Sequence, residues 1–564
     1  MDITKRVNEW LNSNRVSQED KDIIINMSEE ERSDAFFKDV EFGTAGMRGV
    51  LGPGTNRLNI FTVRRAAVGY ALYALEKFAD AKERGIVISH DNRLMSREFT
   101  LLSAEIFNAF GIKAYIFDSL RPTPELSFAV RYLKCVGGIM VTASHNPKEH
   151  NGYKVYDEHG CQLTPSKIAR LVEIINDLPP SLELDIPEDI KPGKTIVLGK
   201  EVDDEYIRLV ENVALNREMN KKHFKIVYTP QHGASYQGAM RIFNDLGYNV
   251  FPLEKQCTPD PLFSETLSPN PEDERAYIEP LKYAKEIDAD MICMTDPDGD
   301  RVGLMVKDEH GEYIPLTGNQ GAALLIDYVF SMRKAKGLLS DNGVMYSTIV
   351  SSSLGKEVAQ SYGIKCEEFL TGFKFIGDRI QYYEENGGPT FEFGYEESYG
   401  CLAKPFARDK DGLQAILLYA EMGVFYHHMG KNLIQVYDEL QKRFSYHSDV
   451  VHSLSFFGPK GAEEMKGIME KLRNNPPTHL AGKSVRRIED YLLSVAKEGE
   501  NETSLTLPTS DVIKFFLEDD STVAVRPSGT EPKCKFYVGA LSDNKEAARE
   551  NAKAIYDDLM SYIK

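Results

Sequence analysis

Gly137-Gly138-Ile139-Met140-Val141-Thr142-Ala143-Ser144-His145-Asn146-Pro147 is the stretch on which the reading of this chain turns. Gly137 to Val141 is apolar, partly β-branched and bounded by polar turn formers, which predicts a short buried strand. Ser144 is therefore expected where a parallel strand gives way to a loop, the usual place for ligands in open α/β sheets. A serine hydroxyl is a weak nucleophile unless a base, a charge or a metal assists it. His145 brings an imidazole, but adjacent residues on an extended chain point to opposite faces. Taken alone, Ser-His-Asn-Pro fits an ordinary polar turn better than a nucleophile.

A second stretch, Asp296-Pro297-Asp298-Gly299-Asp300-Arg301, changes that balance. It follows another short apolar segment of strand type, Asp290-Met291-Ile292-Cys293-Met294. Carboxylates at alternate positions can turn towards one point and offer hard oxygen ligands to a divalent cation. A solvated acidic turn is the plainer alternative. A calcium EF-hand is excluded: the glycine falls at the fourth loop position rather than the sixth, and the twelfth is Lys307 rather than glutamate. Three carboxylates, an open coordination position and Arg301 alongside suit Mg²⁺ facing a phosphate.

The same alternation runs along the chain. Gly85 to Ser89 precedes His90-Asp91-Asn92-Arg93, and Ala114 to Phe117 precedes Arg121-Pro122-Thr123-Pro124. Lys225 to Tyr228 leads to Thr229-Pro230-Gln231-His232-Gly233, and Val344 to Thr348 leads to Ser351-Ser352-Ser353. Short apolar strands, polar loops and helical patterns in turn predict largely parallel α/β layers with loops at the carboxyl ends of strands. From about Ser445 the pattern changes, and Ser504 to Phe516 and Ser521 to Tyr537 are expected as strands flanking charged helices.

Thr142-Ala143-Ser144-His145-Asn146-Pro147 and Asp296-Pro297-Asp298-Gly299-Asp300-Arg301 closely resemble the phosphoserine and metal loops of the α-D-phosphohexomutases. Gly394-Tyr395-Glu396-Glu397-Ser398-Tyr399-Gly400 resembles that family's sugar-recognition loop, and Arg526-Pro527-Ser528-Gly529-Thr530-Glu531-Pro532 its phosphate-binding loop. The four motifs stand in the family's order and span the chain from about Phe42 to Tyr537. Phe42 to Gly49 and Thr371-Gly372-Phe373-Lys374 are similar to the phosphoglucomutase and phosphopentomutase branch; phosphomannomutase-type members often carry histidine where Phe373 stands.

The resemblance implies three tandem mixed-sheet α/β domains plus a C-terminal α+β domain around a central cleft. Residues 1–204 would carry the phosphoserine loop, 205–317 the metal loop, 318–444 the sugar loop and 445–564 the phosphate loop. It implies a Mg²⁺-dependent phosphoglucomutase that interconverts glucose 1-phosphate and glucose 6-phosphate. A phosphoserine at Ser144 and glucose 1,6-bisphosphate, as intermediate and activator, would carry the reaction. Phosphopentomutase, phosphomannomutase and glucose 1,6-bisphosphate synthase share these motifs and stay open as alternatives, as does a non-enzymatic sugar-phosphate sensor.

By the same resemblance, Ser144, Asp296, Asp298 and Asp300 would hold the metal. Arg48, a plausible solvated turn residue on its own, would contact phosphate near Ser144. Lys154 would point into the site although a strand lysine is usually exposed, and His145 is open between structural hydrogen-bonder and acid/base. Arg301, Thr371, Gly372, Lys374, Glu396, Ser398 and Lys410 are the candidate substrate contacts of the first three domains. Arg526, Ser528, Gly529, Thr530 and Lys535 offer a guanidinium fork, hydroxyls, N–H groups and charge suited to phosphate.

Composition sets limits on partners. The chain of 564 residues is long enough for several cores, and its 42% hydrophobic content is that of a globular protein. With 67 basic and 86 acidic residues, the net charge of −19 argues against nucleic acid or an anionic membrane as partner. Sugar phosphates must then be drawn in by the basic residues of the motif loops. Seven scattered cysteines without a C-x-x-C pair suit reduced thiols in the cytoplasm. No stretch reaches the ~18 uninterrupted apolar residues of a membrane span; the best candidate, Ala415 to Phe425, is broken by Glu421. Residues 1 to 36 lack the apolar run of a signal peptide, and oligomeric state is not encoded in any feature of the sequence.

Overall fold

The computed structural model describes residues 3–43, 46–187, 191–456, 458–528 and 533–563. The chain divides into two compact units, Met1–Thr317 with Phe373–Asn432, and Gly318–Gly372 with Leu433–Lys564.

The first unit opens with three helices, Ile3–Asn12, Gln18–Asn26 and Glu29–Phe36. They are tied down by the only tryptophan, Trp10, whose ring meets Phe36 and Phe61 edge-on at 5.7 and 5.3 Å. A six-stranded sheet follows, in the spatial order Met47–Val50, His150–Tyr156, Gly137–Val141, Ile86–His90, Ala114–Phe117, Thr195–Leu198. Its last four strands are mutually parallel, whereas His150–Tyr156 runs antiparallel to Gly137–Val141 and to Met47–Val50. A five-stranded sheet repeats this scheme. Met291–Thr295 and Asn249–Pro252 lie parallel to Lys225–Thr229 on either side, and Val302–Lys307 returns antiparallel to Met291–Thr295. The sheets are therefore mixed, because the chain that leaves each functional loop folds straight back as a strand rather than crossing over in a helix.

The strand before Ser144 forms for the reason its composition suggests. Ile139, Met140 and Val141 are fully buried, and each such side chain contributes about 1.5–3 kcal/mol of transfer free energy. Gly137 is required by a close approach: a Cβ there would sit 2.0 Å from the Tyr70 hydroxyl, which donates to the Tyr156 carbonyl at 2.7 Å. The apolar run Ala415 to Phe425 lies inside the helix Gly412–His428. Its Glu421 is fully buried because it accepts the backbone N–H groups of Leu215 and Asn216 at 2.9 and 2.8 Å. Among the described residues no helix is long and apolar enough to cross a membrane.

The second unit holds a parallel strand pair, Gly343–Thr348 and Lys365–Phe369, beside the helices Gly318–Ala335 and Ser353–Ser361. It also holds an antiparallel sheet built from Tyr446–Ser455, Lys533–Ser542, Thr522–Pro527, Ile513–Leu517 and Lys483–Asp490, extended by the hairpin Val495–Ser504. Helix Lys545–Ile563 packs on that sheet through Ala552, Ile555 and Leu559. The expected single strand over Ser504 to Phe516 is not formed. One strand ends at Ser504 and the next begins at Ile513, and Pro508, which has no N–H to donate, stands in the irregular stretch between. The expected strand over Ser521 to Tyr537 is likewise two, Thr522–Pro527 and Lys533–Ser542.

Candidate active site

Ser144 and the three aspartates meet inside the first unit. The Ser144 hydroxyl donates to Asp296 Oδ2 at 2.8 Å, and ligand oxygens of Asp296, Asp298 and Asp300 lie within 4.8 Å of one another. All three aspartates are buried, at 0, 0 and 2% exposure. Gly299, in the left-handed region at φ 67°, turns the loop where a side chain would strike the Ser235 hydroxyl at 2.1 Å. Backbone N–H groups of Asp300 and Arg301 donate to Asp296 Oδ1 at 3.1 and 3.0 Å, which fixes that carboxylate from behind.

Ser144 and His145 do not diverge as an extended chain would make them. Ser144 has φ 53°, and the turn this produces brings His145 Nδ1 to 3.2 Å from the Ser144 hydroxyl. Lys154 lies on the return strand and is buried; its Nζ donates to Asp298 Oδ2 at 2.7 Å and stands 3.6 Å from Asp300 Oδ2. Despite the burial penalty, Asp298 and Asp300 raise the Lys154 pKa, so the amine is charged. Burial alone would raise Asp298, but the adjacent ammonium holds it well below the usual carboxylate range. Asp296 moves the other way, pushed up by burial and by the charges of Asp298 and Asp300.

Asp298 Oδ1 and Asp300 Oδ1 are buried and accept no hydrogen bond among the described residues. Oxygens left without donors, in a trio of converging carboxylates, fit a hard divalent cation.

Lys410 joins this centre. Its Nζ is 3.1 Å from Asp300 Oδ2, 3.3 Å from Asp409 Oδ1 and 3.7 Å from Glu396 Oε2, and it lies 5.9 Å from the centre of the Phe373 ring. One ammonium thus links the aspartate loop to the loop that follows the strand Thr390–Glu396. Two backbone bonds add to the link: Val302 N–H donates to the Tyr399 carbonyl and Gly412 N–H to the Gly299 carbonyl, both at 3.0 Å. Arg301 pairs with Glu272 at 3.2 Å. Arg48, in the strand paired with His150–Tyr156, donates to Asn146 Oδ1 at 3.3 Å.

The chain matches the description "Phosphoglucomutase/phosphomannomutase" in four consecutive parts. Alpha/beta/alpha domains I, II and III match residues 39–180, 204–311 and 317–444, and the C-terminal domain matches 464–556. It is 38% identical over 529 residues to a phosphoglucomutase of Staphylococcus epidermidis (strain ATCC 12228 / FDA PCI 1200), with 93% of this chain and 95% of that protein covered. It is 37% identical over 537 residues to a phosphoglucomutase of Staphylococcus aureus (strain USA300), with 94% of each covered. The chain belongs to the phosphoglucomutase/phosphomannomutase family. The fold is shared with the solved pp63/parafusin phosphoglucomutase of Paramecium at a TM-score of 0.67 and 17% identity, with 92% of this chain and 93% of that one covered. It is shared too with a phosphoglucomutase/phosphomannomutase family protein of Burkholderia thailandensis, at a TM-score of 0.64 and 17% identity, covering 94% and 98%.

Within this member of the phosphoglucomutase/phosphomannomutase family, Ser144, His145, Arg48, Lys154, Asp296, Asp298, Asp300, Arg301, Lys374, Glu396, Ser398 and Lys410 all fall in the first unit. Glu396 is buried at the end of its strand, Ser398 is half-buried in the turn after it, and Lys374 begins the helix Lys374–Asn386 with its Nζ 5.5 Å from the centre of the Phe375 ring. Thr371, Gly372, Arg526, Ser528 and Lys535 belong to the second unit. Arg526 and Lys535 face each other in register, and Ser528 N–H donates to the Lys533 carbonyl at 2.7 Å. Gly529 and Thr530 lie outside the described residues.

Three residues around the centre escaped the motif reading. Thr123 donates its hydroxyl to Asp298 Oδ2 at 2.9 Å and its N–H to the Asp298 carbonyl at 2.8 Å. Asp91 and Arg93 are buried under the Ser144 loop. Their signal in the sequence is charged or hydroxyl residues directly after apolar strands, at Asp91-Asn92-Arg93 and Arg121-Pro122-Thr123.

Proposed function

We propose that this chain is a phosphoglucomutase interconverting α-D-glucose 1-phosphate and glucose 6-phosphate through a phosphoserine at Ser144 and bound glucose 1,6-bisphosphate. The observation that carries the reading is the Ser144 hydroxyl 2.8 Å from Asp296 within the buried aspartate trio. The identity of 38% to a phosphoglucomutase over 93% of the chain supports the choice of sugar.

Phosphorylated Ser144 gives its phosphoryl group to the free 6-hydroxyl of glucose 1-phosphate. The phosphorus–Oγ bond breaks, a bond from phosphorus to the sugar oxygen forms, the sugar hydroxyl gives up its proton, and Oγ takes one up. His145 Nδ1, 3.2 Å away, is placed to carry that proton. Lys154, charged and bonded to Asp298, neutralises phosphate charge rather than acting as a base. Asp296, Asp298, Asp300 and a Ser144 phosphate oxygen would hold Mg²⁺, which when bound would stabilise the charge on the transferred group. The bisphosphate then turns around and its 1-phosphoryl group returns to Ser144. Glu396 and Ser398 accept and donate hydrogen bonds to sugar hydroxyls, a task for which a fixed carboxylate discriminates strongly. Arg526, Ser528, Gly529, Thr530 and Lys535 hold the phosphate that is not reacting, while Arg48, Arg301, Lys374 and Lys410 add positive charge and Thr371 and Gly372 are further substrate contacts. We assign these roles to four domains, 1–204, 205–317, 318–444 and 445–564, acting in the cytoplasm. The seven unpaired cysteines support that location.

The test is intact mass after incubation with glucose 1,6-bisphosphate. One added phosphoryl group that disappears in Ser144→Ala is expected. A phosphate mapped elsewhere, with Ser144→Ala still active, refutes the reading. Parallel assays with mannose 1-phosphate and ribose 1-phosphate check the sugar, which is wrong if either matches glucose 1-phosphate in kcat/KM.

A further inference from the structure

Ser144 at φ 53° occupies a backbone region that a residue with a side chain enters only when its surroundings hold it there. The surroundings that do so converge on Arg93. Its Nη2 donates to the carbonyls of Ser144 and Asn146, both at 2.6 Å, and its Nη1 to those of Pro147 at 2.9 Å and His150 at 3.0 Å. The Nε lies 3.1 Å from Asp91 Oδ2, an ion pair without hydrogen-bond alignment, and the guanidinium lies 5.2 Å from the centre of the Phe263 ring. Asp91 is fixed in turn: Oδ1 accepts from the Ser96 hydroxyl at 2.8 Å and from Arg93 N–H at 3.0 Å, and Oδ2 accepts from the Thr142 hydroxyl at 2.6 Å. That same Thr142 hydroxyl oxygen accepts the Ser144 N–H at 2.7 Å.

The two ends of the Ser144 backbone are thus held from one buried network, the amide by Thr142 and the carbonyl by Arg93. Fixing both peptide planes fixes φ and ψ, and with them the Cα–Cβ direction from which the hydroxyl reaches Asp296. Arg93 is 3% exposed and its Nη groups are engaged by four carbonyls, so it has no free fork to offer a phosphate. We propose that Arg93, braced by Asp91 and Thr142, is a positioning residue that sets the direction of the Ser144 hydroxyl for phosphoryl transfer. The proposal rests on Ser144 being the residue that is phosphorylated. A lysine cannot replace the planar fork, because a single ammonium does not reach four carbonyls spread over the loop.

Arg93→Lys and the pair Thr142→Val and Thr142→Ser test this. Arg93→Lys is expected to lose kcat on the order of a hundredfold, the effect of an ångström-scale misplacement of a reacting group. KM for glucose 1-phosphate should stay within about threefold, since uniform binding is untouched. Thr142→Val should fall in the same direction, and Thr142→Ser, which restores the hydroxyl, should recover most of the rate. A role confined to folding would lower the yield and melting temperature of the protein while leaving kcat per folded molecule unchanged, and that result overturns the proposal. If Arg93→Lys does not fold, the Thr142 pair decides. Phosphate mapped by mass away from Ser144 in the parent enzyme defeats the reading of function itself. Phosphate on Ser144 in the parent, with parental kcat in both Arg93→Lys and Thr142→Val, defeats the clamp alone.

Discussion

Replacing Lys410 with methionine keeps the volume of the side chain and removes one buried charge. That charge stands 3.1, 3.3 and 3.7 Å from carboxylate oxygens of Asp300, Asp409 and Glu396. At an effective dielectric constant of ~20, each such separation corresponds to roughly 4–5 kcal/mol of attraction before desolvation is charged against it. Burial of the lysine itself opposes this, yet the three carboxylates raise its pKa all the same, so attraction outweighs burial. Removing one partner of a buried ion pair costs about 3–5 kcal/mol, because the partner left behind is an uncompensated charge. Lys410→Met should therefore lower the melting temperature of the first unit by roughly 4–6 °C. Mg²⁺ should narrow the gap, since a cation beside Asp300 replaces part of the lost charge. The assay is thermal unfolding by near-UV circular dichroism at several pH values, with and without Mg²⁺, alongside kcat/KM. Equal melting temperatures for variant and parent across that series, with kcat/KM within about twofold, would refute the account of Lys410 as the shared counter-charge of the two loops.

Other outcomes follow from the same geometry. Asp298→Asn should cost at least ~3 kcal/mol of transition-state stabilisation, on the order of a hundredfold in kcat, and chelation should abolish the parent's activity; full activity after metal-free dialysis contradicts both. Arg526→Ala should raise KM and strengthen the dependence on added glucose 1,6-bisphosphate, because losing a charge-assisted fork costs roughly 1.5–3 kcal/mol and lets the intermediate escape; an unchanged KM and bisphosphate requirement removes Arg526 from the phosphate loop. Gly137→Ala places a methyl group 2.0 Å from the Tyr70 hydroxyl and should destabilise by at least about 1–3 kcal/mol, read as a fall in melting temperature.

What the sequence reveals and what it withholds divide along a physical line. Strands such as Gly137–Val141 and Met291–Thr295 are legible because burial on both faces demands an unbroken apolar run, and the polar loops after them are legible because ligands sit at strand ends. The aspartate trio is legible because its spacing alone lets three carboxylates converge. Lys410 is hard to place from sequence for the opposite reason: Asp409-Lys410-Asp411 is a local run of charge, and the contacts to Asp300 and Glu396 exist only once the chain has folded. The geometry of an extended chain misplaces His145, because the left-handed turn at Ser144 overrides it, and that turn is held by Thr142 within the motif and by Arg93 outside it. Arg93 acts on Ser144 from 51 positions away and Thr123 on Asp298 from 175. Such contacts are set by which strands lie side by side, a property of the whole sheet and not of any local pattern. Ile86–His90 pairs directly with Gly137–Val141, and its register, His90 opposite Val141, delivers Asp91 and Arg93 to the underside of the Ser144 loop. The motif supplies the hydroxyl and the neighbouring strand aims it, so the residues that direct the chemistry are found only once the strand order is known.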